Sequence, residues 1–191
     1  MNERTPCRVI LVGMMGSGKT TIGRLIAHRT GWPYHDNDQL LTQATGRTAR
    51  KLADEGEAAL RAAEEAALRL SLRTPEPCIV AAAAGTILNR VLHEELRAAG
   101  TVVWLRAPLA VLVQRAKRAS HRPWLGEEAA PWMARALATR EPLYRQVAHV
   151  TVDTDTAAPD QAVDLILAHL PATGCSQWLG TPLAAEEVHG R

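Results

Sequence analysis

The chain has 191 residues, 47% of them apolar, with 22 Lys and Arg against 20 Asp and Glu for a net charge of +2. That length suits one domain with a proper core, and the balanced charge argues against an electrostatically driven nucleic-acid binder. No run approaches the roughly 18 consecutive apolar residues of a membrane span. The N-terminus MNERTPCRVILVG has no charged-then-apolar leader, so a cytoplasmic, membrane-free protein is expected. Cys7, Cys78 and Cys175 lie far apart and outside any C-x-x-C pair, which reads as buried or idle thiols and not as a disulfide framework or zinc site. His93-Glu94-Glu95 has no second histidine at metal-ligand spacing.

In chain order, a short apolar strand, Arg8–Val12, runs into G-M-M-G-S-G-K-T at 13–20 and then into a helix over Thr20–Arg29. The spacing G-x-x-x-x-G-K-[ST], between strand and helix, is the phosphate-cradling P-loop. Gly13, Gly16 and Gly18 allow a turn whose N–H groups point inward as a nest for phosphate oxygens. The helix that follows adds its positive dipole end. Lys19 is placed to reach the β and γ phosphates, and Thr20 to offer its hydroxyl to magnesium. Further strands are expected at Trp32–His35, Pro77–Ala82, Thr101–Leu105 and His149–Val152. Helical periodicity covers Asp38–Thr45, a short turn near Ala49–Asp54, Glu57–Leu72, Ile87–Ala99, Leu109–Lys117, Ala129–Gln146 and Pro159–Leu170. Strands alternating with helices predict an α/β domain with a parallel sheet. Gly31 and Gly100 stand where helices stop. After Leu170 the Pro- and Gly-punctuated residues read as a mobile or loosely docked tail, 171–191.

A phosphate loop alone does not say what is done with the nucleotide. The stretch H-D-N-D-Q-L places Asp36 and Asp38 at the carboxyl end of the second strand, where ligands of such sheets bind. Alternation in an extended segment puts both carboxylates on one side. Two acids there suit phosphoryl transfer, one beside hydrated magnesium and the other orienting or deprotonating the attacking hydroxyl. The alternative is a turn in which Asp38 merely caps the next helix. Arg61 and Arg145 sit on helices, where a lone arginine is ordinarily a solvated charge. Arg122-Pro123 lies in a breaker-rich stretch suited to a closing lid, although it also fits an ordinary exposed loop.

The ordered set G-x-x-G-S-G-K-T-T-I-G-R, D-x-D, G-E-x-x-x-R, R-P-x-L, P-L-Y-R-x-V-A and V-D-T resembles the shikimate kinase family over about residues 8 to 170. The resemblance implies a three-layer P-loop kinase fold of the nucleoside-monophosphate-kinase type, a five-stranded parallel sheet in order 2-3-1-4-5 flanked by helices. It implies a single kinase domain, 1–170, with a substrate-binding region at about 36–62 and a lid at about 118–128. The activity implied is ATP- and Mg2+-dependent phosphorylation of shikimate to 3-phosphoshikimate, a step of aromatic amino-acid biosynthesis, by a monomer. Gly13, Met14, Met15, Gly16, Ser17, Gly18, Lys19, Thr20 and Thr21 would hold ATP, with Arg115 against the adenine and Asp153 closing its other side. Thr20 and Asp36 would serve the metal. Asp38 would be the base or orienting group and Arg122 the lid arginine. Arg61 and Arg145 would grip the acceptor carboxylate, beside Ala84 and Gly85.

One departure touches the acceptor. The family has three glycines after its third strand, and this chain has Ala83, Ala84 and Gly85. If that backbone needs positive φ, alanine strains it by about 1 kcal/mol or more per position. If not, two methyl groups crowd the pocket wall. The alternatives are therefore a kinase of a different carboxylated polyol or cyclitol, or a nucleotide-binding homologue without transfer activity.

Overall fold

The computed structural model describes residues 6–118, 129–170 and 175. Five parallel strands, β1 (Arg8–Val12), β2 (Tyr34–Asp36), β3 (Cys78–Ala81), β4 (Thr101–Arg106) and β5 (Val150–Asp153), form one sheet in the order β2-β3-β1-β4-β5. Both neighbours of β1 pair with it in parallel, Ile10 lying opposite Val80 on one side and Val102 on the other. A central strand covered on both faces is chiefly apolar, and RVILV is buried along its whole length, its one charged residue, Arg8, donating to the carbonyls of Ala99 and Thr74.

Side chains alternate across the sheet and so divide the core in two. Ile10, Val12, Val80, Val102 and Trp104 face α4 (Glu57–Leu72), α5 (Val91–Ala99), α6 (Leu109–Arg118) and α7 (Ala129–Val147) through Leu68, Leu92, Leu112 and Met133. Val9, Leu11, Val103 and Leu105 face α1 (Lys19–Thr30) and α8 (Pro159–Ala168) through Ile22, Ile26, Val163 and Ile166. A small third cluster, Leu41, Leu52 and Ala67, ties α2 (Asn37–Thr45) and α3 (Ala49–Glu55) to α4. This places α2 and α3 as a shoulder on the β2 side of the sheet's carboxyl edge.

The expected strands all form, within two residues of their anticipated ends, and the helices differ in one respect. The continuous helix anticipated over Ile87–Ala99 is broken into a 3₁₀ turn, Thr86–Leu88, and α5. Asn89 is the cause: its backbone is extended, at φ −83° and ψ 106°, and its side-chain oxygen accepts the N–H of Val91 at 3.0 Å. Asparagine competes for backbone groups in this way more readily than it continues a helix. Gly31 ends α1 in the left-handed region at φ 74°, as its position suggested.

The thiol reading needs correction. Cys7 and Cys175 form a disulfide 168 residues apart in sequence, and only Cys78 is free and buried. Local spacing could not reveal the pair, because it is the fold that brings β1's start and the region after α8 into one apolar cluster with Leu170 and Ile166. The tail expected over 171–191 lies outside the described residues except for Cys175, which is fully buried. No described helix is long and apolar enough to cross a membrane.

Candidate active site

The carboxyl ends of β1, β2 and β3 converge on the phosphate loop. Gly13, Gly16 and Gly18 all take positive φ, at 144°, 81° and 97°. Gly16 is also required by space: a Cβ there would sit 2.6 Å from the carbonyl oxygen of Leu112, so α6 packs directly on the loop. Gly18 caps α1, whose first turn carries no acidic residue, leaving its amides and dipole open to an anion. Lys19 Nζ lies over the loop and donates to the carbonyls of Gly13 and Met14 at 2.8 and 3.1 Å. Ser17 is fully buried, and its hydroxyl oxygen has no partner among the described residues.

The two aspartates do not lie on an extended strand as alternation suggested. Asp36 ends β2 and caps α2, its Oδ1 accepting the N–H of Asp38 at 3.0 Å, while Asp38 lies in the first turn of that helix. The capping role considered for Asp38 therefore belongs to Asp36. The second Asp36 oxygen accepts from the Tyr34 hydroxyl at 2.9 Å and from Thr20 Oγ1 at 3.3 Å. Burial first, then the Asp36 charge and its hydrogen bond, push the Tyr34 phenol well above its ordinary range, so it remains a donor. Tyr34 lies flat on α1 because Gly23 has no side chain; a Cβ there would overlap the Tyr34 ring. Thr20 and Asp36 thus present hard oxygen donors together beside the loop.

On the far side of β4, Arg115 donates to Thr154 Oγ1 at 3.0 Å and to the Thr154 carbonyl at 2.7 Å. Thr154 Oγ1 in turn donates to the Ser17 carbonyl at 3.2 Å, joining β5's end to the phosphate loop. Asp153, expected to close the other side of the adenine, is engaged by Arg106 through paired bonds of 2.5 and 2.7 Å. Thr154 is the residue of this segment that reaches the loop.

The other half of the site lies between α4 and α7. Arg61 Nη1 donates to Glu64 at 2.5 Å and Nη2 to Glu57 at 3.3 Å, while its Nε is buried without a partner among the described residues. Burial raises the Glu64 carboxyl above the usual carboxylate range; Arg61 and Arg140 oppose that shift and the charge of Asp38 adds to it. Asp38, Arg61, Glu64 and Arg140 therefore share one electrostatic neighbourhood. Gly85 has ordinary φ of −86°, but a Cβ there would overlap Arg61 Nη1, so glycine is needed for space and not for conformation. No described residue other than glycine has positive φ, so Ala83 and Ala84 sit unstrained and only the crowding expectation for them survives. The Ala84 carbonyl accepts from the hydroxyl of Tyr144, a buried residue stacked on Trp104, at 2.9 Å.

The expected partner of Arg61 is corrected. Arg145 is 66% exposed and pairs along its own helix with Glu141 at 3.1 Å. Arg140, five positions earlier and about 140° around α7, is 6% exposed and points inward. Burial, then the Arg61 charge, lowers its pKa. Among the described residues no carboxylate pairs with Arg140; its contacts are a long one to Met14 Sδ at 4.0 Å and the face of Trp132. Arg61 and Arg140 line a cavity of about 420 Å³ together with Glu57, Leu60, Leu88 and Trp132. Arg122 lies outside the described residues.

The sequence pattern of the family described as shikimate kinase matches residues 15–171. The chain belongs to the shikimate kinase family. It is 39% identical over 153 residues to the shikimate kinase of Halorhodospira halophila, covering 79% of this chain and 86% of that protein. With the shikimate kinase of Pseudomonas syringae pv. tomato it shares 37% identity over 164 residues, 85% and 95% of the two chains. The structure of shikimate kinase from Acinetobacter baumannii in complex with shikimate superposes with a TM-score of 0.77 at 34% identity, covering 86% of this chain and 92% of that one. The shared fold is the five-stranded parallel P-loop kinase sheet anticipated from the sequence.

Proposed function

We propose that this shikimate kinase family member transfers the γ-phosphoryl group of ATP to a hydroxyl of shikimate, giving 3-phosphoshikimate and ADP. The observation that carries the acceptor assignment is the buried Arg140, which forms no ion pair with a carboxylate among the described residues and lines one pocket with Arg61. A buried cation is costly unless paired, and two guanidiniums suit a carboxylate that arrives with the acceptor. Arg61 and Arg140 form that clamp. Asp38, whose charge reaches Glu64 beside Arg61, orients the acceptor hydroxyl and receives its proton as the oxygen attacks the γ phosphorus and the bridging bond to the β-phosphoryl breaks. Lys19 and the loop amides neutralise charge developing on the phosphoryl oxygens. Arg115 and Thr154 flank the nucleotide, and Arg122 serves as the lid arginine.

Thr20 and Asp36 fit Mg2+. Their oxygens lie together beside the nest, and such an ion is held largely by water and phosphate. When bound, the ion neutralises charge across the β and γ phosphates. The experiment is an ADP-release assay coupled to shikimate addition: stimulation is expected, and no stimulation over background overturns the assignment. Ala83 and Ala84 favour a second reading, in which their methyls exclude shikimate and admit a different carboxylated polyol. Relative kcat/KM across shikimate, quinate and gluconate separates the two.

A further inference from the structure

Arg61 and Arg140 face one pocket but are held by different chemistry. Two carboxylates, Glu64 and Glu57, each accept one bond from Arg61, from Nη1 and Nη2. Arg140 has no such partner among the described residues, and its guanidinium carbon lies 5.7 Å from the centre of the Trp132 ring. Trp132 stands eight residues before Arg140 on α7, is 39% exposed, and lines the same pocket.

We propose that Trp132 is a positioning residue for acceptor binding, its indole face holding the Arg140 guanidinium while leaving the N–H donors for the acceptor carboxylate. The inference rests on assigning this pocket to a carboxylated acceptor. A carboxylate beside Arg140 would fix the side chain equally well, but it would form the same forked pair that the acceptor must form and would compete with it. An aromatic face attracts a cation through its quadrupole, perpendicular to the guanidinium's plane of donors, and uses none of them. That contact also explains why a large apolar side chain stands partly exposed at the pocket wall.

Trp132→Leu and Trp132→Phe separate this role from simple packing, because leucine keeps apolar bulk without a π face and phenylalanine keeps a weaker one. With shikimate and ATP, Trp132→Leu is expected to raise the shikimate KM about three- to tenfold, from the loss of a cation–π contact. The ATP KM and kcat should stay within about twofold, as for lost uniform binding, and Trp132→Phe should recover most of the affinity. Shikimate titration should also change tryptophan emission in the wild-type protein, and this change should shrink in Trp132→Phe. An unchanged shikimate KM in Trp132→Leu, equal effects of the two variants, or a joint loss of kcat and ATP affinity overturns the proposal. A wild-type protein that does not turn over shikimate at all overturns the acceptor assignment instead, so the two failures are distinct.

Discussion

The nucleotide half and the acceptor half of the site are built on opposite principles. The phosphate loop is contiguous in sequence and made chiefly of backbone, with its glycines set by φ and by the close approach of α6. The acceptor pocket is assembled from α4, α7 and the turn after β3, and depends on which face of each helix a side chain leaves. A backbone site tolerates changes to most neighbouring side chains, whereas a side-chain site can change its ligand by a single substitution. The difference teaches where specificity in this molecule can vary while phosphoryl transfer stays fixed.

Variants test this contrast in descending order of effect. Lys19→Ala should lower kcat by about 10²-fold or more, since a charged donor to the transferring group is lost; an unchanged kcat would remove Lys19 from the chemistry. Arg140→Ala should raise the acceptor KM about 10- to 100-fold, the loss of charged hydrogen bonds, with a much smaller change in the ATP KM. Arg145→Ala should leave the acceptor KM within about twofold, as expected for an exposed helical ion pair; the opposite ranking in steady-state kinetics would restore Arg145 as the clamp. Gly85→Ala should raise the acceptor KM by roughly tenfold through displacement of Arg61, the low end of the same hydrogen-bond loss. Ala84→Gly, at ordinary φ, should cost only about 0.5–1 kcal/mol of stability in a denaturant titration.

The smallest effect belongs to neither half. His149 Nδ1 accepts the N–H of Val102 at 3.0 Å, and burial, then Arg97, lowers its pKa. The unfolded histidine takes up its proton near about pH 6.5, the folded one only at lower pH, so the unfolded state binds more protons in that window. Stability therefore falls as pH drops through the unfolded value toward the depressed folded one. His149→Asn retains a neutral acceptor and should flatten part of that slope in melting curves. His35, lowered by burial and Arg8, keeps its own share.

Much of the nucleotide half was legible because its information is local. Strand, glycine spacing, lysine and threonine sit within thirteen residues, and alternating strands and helices gave the sheet. Arg140 was missed because P-L-Y-R offers an arginine on its far side, while the buried one stands before it. A signal was present: Met133, Arg140, Tyr144 and Val147 form the buried stripe of α7, and an arginine within an apolar stripe cannot be a surface charge. Asp36 ends β2 as expected, but Asp38 lies in the first turn of α2, which begins one residue earlier than its periodicity suggested. The Cys7–Cys175 pair is topological and leaves no local trace.

Gly23 has no side-chain donor, acceptor or charge, yet it bears on how the Asp36 carboxylate is held. The Tyr34 ring rests in the gap Gly23 leaves, and the phenol at its end braces Asp36. Even the smallest side chain added at Gly23 would lift that brace and loosen the carboxylate at its tip. A position one helical turn from the phosphate loop, blank by every chemical criterion, can thus govern how firmly the Asp36 carboxylate is held.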